Sequence, residues 1–355
     1  MHRITIRQAG DACYGGGTGA VGLDDEGRVD HPLTVLDLDS PAGRGTGAAV
    51  AAIGDGAGVV VGVTRRPERV PDALLDAVTL TLAQAPRSEN SRDPRIVPCA
   101  DVEAELGVLA AAVERNPAAS AVLCQVLCAG ALLPVADALR LESFAYSTLL
   151  AGPEFADWLH RRGSRVVPVP PDDVVLTERA GDRLLITLNH PARRNAYSAA
   201  VRDALVGALE VAVADGSVRE VQLRGNGPAF CAGGDLAEFG TAPDPVSAHV
   251  IRTGRSAAAL LARLSSRTHV RLHGGCVGAG IELPSFAGRV TAAPDAQIRL
   301  PEVGMGLIPG AGGTVGLSRR IGRWRTAALA LTGAPVGAGQ ALAWGLVDAV
   351  EPNAR

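Results

Sequence analysis

From residue 174 onward, short β-branched runs and helical segments alternate with almost no spare chain between them. "DVVLTERAGDRLLITLNHP" reads as strand, a helix is predicted from Ser198, and "VREVQLRG" is strand again. A glycine-rich loop follows, then a helix around 248–266 and the strand "THVRLHG". A strand buries both faces only if helices cover it, so this alternation with tight turns predicts an α/β layered fold.

The preceding chain has two characters. "LTVLDLD" (33–39) and "GVVVGVTR" (58–65) read as strands, and "PDALLDAVTLTLAQA" (71–85) as a helix. From 101 to 163 everything is helical: "DVEAELGVLAAAVERNP", "AASAVLCQVLCAG", "LPVADALRLESFAYSTLLAG" and "PEFADWLHRRG", the first with an acidic first turn and a Pro stop, the second and last ending at Gly. "SRVVPVPPDD" (164–173) is a Pro-rich linker and the clearest boundary, giving an N-terminal region 1–163 and a core 174–355. "LTVLDLDSP" echoes "LLITLNHP" further on, and "VVVGVTRRP" echoes "EVQLRGNGP".

Composition narrows the function. Apolar residues make up 47% of the 355, enough for a large core, but aromatics only 3%, so that core is built from Ala, Val and Leu. A formal charge of −3 argues against a nucleic-acid partner. The chain has no lysine: all 34 basic residues are arginine, so an anionic ligand must be held by Arg, His or backbone N–H groups. Six cysteines (13, 99, 124, 128, 231, 276) show neither zinc nor disulfide spacing. With no apolar leader and no long apolar run, a soluble cytoplasmic protein without a membrane partner is expected.

Two glycine-rich stretches carry the chemistry. "GNGPAFCAGGDL" (225–236) follows a strand and can turn backbone N–H groups toward an anion. "HGGCVGAGIEL" (273–283) runs from a strand into a helix start, whose first N–H groups lack intrahelical acceptors and sit at the positive dipole end. One donor from each stretch, converging on one oxygen, would make an oxyanion hole. Each could equally be a structural turn. Glu282 lies in the second stretch and Glu302 in "LPEVGMGLIPGAGGT". They are either a catalytic pair or two charges beside glycines.

"NHPARRNAYS", "AFCAGGDL", "HGGCVGAGIEL" and "LPEVGMGLIPGAGGT…LSRRIGR" stand in the order and spacing of the crotonase (enoyl-CoA hydratase/isomerase) family, which residues 174–350 resemble. The resemblance implies a spiral of ββα turns, an acyl-CoA thioester substrate, an enolate stabilised at the thioester carbonyl, and homotrimers or pairs of trimers. By position, Gly234 matches the first oxyanion-hole donor. Ala279 matches the second, where the family usually has Gly; only the N–H is used, so Ala fits if its φ is negative. Glu282 and Glu302 match the two glutamates of the hydratases. Arg194 sits where a basic residue often meets the CoA phosphates, and Ala196 and Ala232 match positions whose backbone grips CoA. Retention of both acids points to reversible hydration of a 2-enoyl-CoA, with no metal or redox cofactor and CoA only as part of the substrate. Double-bond isomerisation, thioester hydrolysis and a non-catalytic acyl-CoA-binding subunit are the alternatives.

Other features have plainer readings. Asp235 is expected to order its loop, and "RRIGRWR" (319–325) to be a solvated or CoA-facing helix end. Pro284 interrupts the helix that carries Glu282 and could shift it. The family's closing helices resemble 102–162, which here precede the core, as in a circular permutation or a tandem duplication that lost its middle. On that reading the first copy has no counterpart of "FCAGGD" and is catalytically dead.

Overall fold

A computed structural model describes residues 2–11, 22–41, 45–54, 58–84 and 91–352; Cys13 lies outside them. The architecture is α/β. The core sheet orders its strands 349–350, 289–292, 268–272, 220–225, 183–188 and 175–180, all parallel except the last pair. A small second sheet joins 275–277, 297–299 and 336–337. After the hairpin 175–188, helices separate the successive parallel strands of the core sheet, which is what the alternation after residue 173 demands.

The N-terminal region builds its own parallel sheet from His2–Thr5, Leu33–Asp37, Val59–Thr64, Leu80–Gln84 and Ile96–Cys99. The echoed segments occupy like places: 33–37 pairs in parallel with 59–63, as 183–188 does with 220–225. Residues 71–85 are not one helix. A helix spans only Asp72–Ala77 and the chain then becomes a strand at Leu80. The Thr79 N–H donates to the Val60 carbonyl at 2.8 Å and its hydroxyl accepts from the Val60 N–H at 3.1 Å. These bonds dock "TLTLA" onto a finished sheet edge, where β-branched residues fit and four consecutive side chains are buried. The expected helix at 248–266 is likewise two, Pro245–Gly254 and Ala257–Arg263, because Ser256 caps a fresh start by accepting from the Ala259 N–H.

Helices Val102–Arg115, Pro117–Gly130, Val135–Leu150 and Pro153–Arg162 pack within the same chain. The first two cover one face of the N-terminal sheet, and a single apolar core runs from Leu33 through Leu106, Leu123 and Leu205 to Val347. The other face closes under a smaller cluster around Ile6, Leu36 and Leu74. The basic run at 319–325 is not a free helix end. Gly322 kinks the helix Gly313–Thr332 (φ 79°), and the arginines reach carbonyls of the other segments. Arg319 donates to Leu133, Arg323 to Asp76, and the buried Arg325 to Ser91 at 2.6 Å. Among the described residues no helix is long and apolar enough to cross a membrane.

Candidate active site

The two glycine-rich stretches run side by side. Cys231 N–H donates to the Gly275 carbonyl at 3.2 Å, and Val277 N–H to the Cys231 carbonyl at 3.0 Å. Asn195 fastens the first stretch from beneath. Fully buried at φ 53°, it donates to the carbonyls of Asn226, Ala229 and Phe230 and accepts from the His190 N–H. Asp235 is held by Arg193 and itself accepts from the Ala237 N–H, so it orders the loop. Around Gly234 the pairing is made by its neighbours: Tyr197 N–H to the Gly233 carbonyl and Asp235 N–H to the Tyr197 carbonyl. The Gly234 N–H stays outside that pairing.

The one-turn helix Ala279–Glu282 follows Gly278. Ala279 N–H is the first donor of that turn and has no intrahelical acceptor. Ala279 is not among the described residues with positive φ, so a methyl group is accommodated there. Pro284 does not displace Glu282. It opens a separate 3₁₀ turn, Pro284–Phe286, at a position where its missing N–H costs nothing. Gly234, Ala279, Glu282 and Glu302 all line one cavity of about 580 Å³.

Glu282 and Glu302 are both buried. Gly278, at φ 49°, lies between them: a Cβ there would collide with Glu302 Oε1 and stand 3.7 Å from Glu282 Oε1. Glu282 Oε2 accepts from the N–H groups of Ala311 (2.7 Å) and Gly313 (2.9 Å) at the start of the long helix. Among the described residues Glu302 Oε2 has no hydrogen-bond partner. Burial raises Glu282 well above the carboxylate range, and the nearby Glu302 and Glu142 raise it further. Burial also pushes Glu302 up to about 8. Two buried carboxyls so placed titrate as a coupled pair, and burial disfavours charge on each. The two amides favour charge on Glu282, and the bare Oε2 favours the proton on Glu302.

The sequence did not single out Glu142. Its Oε1 accepts from the Gly312 N–H (2.7 Å), and its Oε2 from the Thr314 N–H (2.9 Å) and hydroxyl (2.6 Å). Glu142 and Glu282 thus take alternate N–H groups of one helix start, a natural seat for anions. Burial pushes Glu142 up to about 7. Ala138, Glu142, Ser143 and Ser147 share the buried face of their helix, but such small and polar side chains do not mark that face in the sequence.

Arg194, Ala196 and Ala232 do not line the cavity. Ala232 N–H donates to the Arg194 carbonyl at 2.9 Å, and Arg194 is exposed. The arrangement as a whole can polarise a carbonyl with two N–H groups while two carboxyls move protons beside it.

An enoyl-CoA hydratase/isomerase family model matches residues 180–355. YngF of Bacillus subtilis (strain 168), which carries an enoyl-CoA hydratase/isomerase name, is 35% identical over 180 residues, covering 50% of this chain and 69% of that protein. The chain belongs to the enoyl-CoA hydratase/isomerase family. The 2,3-dehydroadipyl-CoA hydratase of Escherichia coli (strain K12) is 37% identical over 170 residues, 48% of this chain and 66% of that protein. The mevalonyl-coenzyme A hydratase SIDH of Beauveria bassiana (strain ARSEF 2860) is 33% identical over 178 residues, 48% of this chain and 64% of that protein. The family match thus falls in the second half of the chain and spans about two thirds of these relatives.

Proposed function

We propose that the protein adds water reversibly across the double bond of a 2-enoyl-CoA to give a 3-hydroxyacyl-CoA. The observation that carries this is the meeting of two buried carboxyls, both pushed above the carboxylate range, with Gly234 and Ala279 in the wall of one cavity. The thioester oxygen sits between the N–H groups of Gly234 and Ala279. Ionised Glu282 takes a proton from water as its oxygen bonds to the β-carbon. The displaced π electrons run to the thioester oxygen as an enolate, and Glu302 delivers its proton to the α-carbon. The hydratase names of the relatives support the same reaction class. No step needs a metal or redox cofactor, and CoA enters as part of the substrate.

Arg194 and the backbone of Ala196 and Ala232 are proposed to meet the CoA nucleotide outside the cavity. A homotrimer or pair of trimers in the cytoplasm is part of the proposal by family resemblance, and the N-terminal sheet is a catalytically silent scaffold.

Crotonyl-CoA hydration, followed by loss of the conjugated-thioester absorbance, tests the reading. Glu282→Gln and Glu302→Gln should each lower kcat by about 10²–10⁴-fold, the usual worth of a positioned acid or base. Tight CoA-ester binding without hydration would shift the assignment to isomerisation or hydrolysis, and no binding at all to a structural subunit.

A further inference from the structure

Four arginines line the cavity: Arg140, Arg202, Arg252 and Arg255. Three have carboxylate partners. Arg140 pairs with Asp137 at 2.5 Å, Arg202 with Asp203 at 2.9 Å, and Arg255 with Asp203 at 3.9 Å. Arg252 is different. It is half-buried on the helix Pro245–Gly254, and among the described residues no carboxylate lies within ion-pair distance of it. Its contacts are neutral. One terminal nitrogen, Nη1, donates to the Ser143 carbonyl and hydroxyl and to the Ser147 hydroxyl at 3.1–3.4 Å. The guanidinium lies 4.2 Å from the centroid of Tyr146, another lining residue. Nε and Nη2 have no protein acceptor among these bonds.

A guanidinium presents five donors in a fixed plane, and its Nε–Nη2 edge matches the two oxygens of a carboxylate. Here the Nη1 side and one ring face are taken while that edge is left over, on a side chain facing the cavity. Glu142 and Glu282 act on this charge only from a distance, and a purely alkyl acyl chain would leave the free donor edge without an acceptor on binding, which is costly. We infer that Arg252 is a specificity-determining residue and that the preferred acyl group ends in a carboxylate, making the substrate class the CoA monothioesters of dicarboxylic acids. The inference rests on the acyl-CoA reading of the cavity, and it does not depend on which reaction is catalysed there.

The test is equilibrium binding of saturated, non-reacting esters to the full-length protein, in pairs of equal chain length: succinyl- against butyryl-CoA, glutaryl- against pentanoyl-CoA, and adipyl- against hexanoyl-CoA. At one chain length or more the wild type should favour the carboxylate ester by about tenfold or more, the worth of a charge-assisted hydrogen-bonded pair. Arg252→Met should collapse that ratio, and Arg252→Lys should keep part of it. No preference at any length in the wild type overturns the inference, without need of a folded variant. So does a preference that survives Arg252→Met, or a variant that weakens both members of each pair equally, since Arg252 would then serve only as a counter-ion to the buried glutamates. Failure of the hydratase reading looks different: the esters bind with the stated preference, but the enoyl thioester is not turned over. Absence of all ester binding removes both.

Discussion

Glu302 illustrates how one buried side chain can set a pH profile. Its carboxyl has a free oxygen, no compensating donor there, and a folded-state value near 8 against an ordinary 4.5. It holds its proton at neutral pH, and kcat for hydration should fall as pH rises through about 8. The same shift bears on stability. A raised acid binds more protons folded than unfolded between the two values. Its contribution is therefore complete below about 4.5 and lost as pH rises through about 8. Glu142, raised to about 7, acts in the same direction. Thermal midpoints should decline from pH 5.5 to 8.5, and more shallowly in Glu302→Gln, where position 302 no longer titrates. An equally steep decline in that variant would place the titration elsewhere. Both glutamates were legible as residue types. That Glu302 lacks a partner while Glu282 has two was not, because those partners come from residues 311–313, brought back by the fold.

At the scale of the element, the site depends on two loops held at fixed height by backbone-directed bonds. Asn195 accounts for three carbonyls of the glycine-rich loop 225–236. Asn195→Ala leaves them buried without that donor and should cost about 2–4 kcal/mol in denaturant unfolding, with kcat falling more than ester affinity. Asn195→Asp, which lacks the NH₂ group, should not rescue it. Gly278 is constrained twice, by a left-handed φ and by the Glu302 oxygen that a Cβ would strike. Gly278→Ala should therefore reduce hydration by at least about 10²-fold through displaced geometry, even if the protein stays folded. The motifs "NAYS" and "GGCVGAG" are visible in the sequence, and so is the need for glycine. What 71–85 would become was not, because a short apolar run suits helix or strand equally and only the waiting edge at Val60 decided it.

Across the whole molecule, the helices at 102–162 complete the cavity, contributing Glu142, Tyr146 and Phe155 to its wall. The linker after them has no regular structure and is mostly exposed. The apolar core crosses that boundary, and arginines of the helix Gly313–Thr332 clasp carbonyls on its far side. Limited trypsin treatment should nick near Arg165. The fragments should still co-elute by gel filtration and retain hydration activity, separating only in denaturant. Fragments that part under native conditions would show that the linker, rather than the core, holds the two parts together.

The sequence alone determined the α/β class, the helical block, and the two glycine-rich loops and two glutamates that the fold brings to one cavity. Those features are encoded locally, in periodicity of 2 and 3.6, in caps, and in glycines where a side chain cannot be. Tertiary structure alone decided that helices from before the core would close the cavity in the same chain. It also placed a third glutamate on the same helix start as Glu282, and left Arg252 facing the cavity with no ion-pair partner among the described residues. Such features depend on which distant segments share a wall, and burial and proximity then set the charge of each group. No local pattern records that, because the energy of a buried charge belongs to its surroundings and not to its neighbours in the chain.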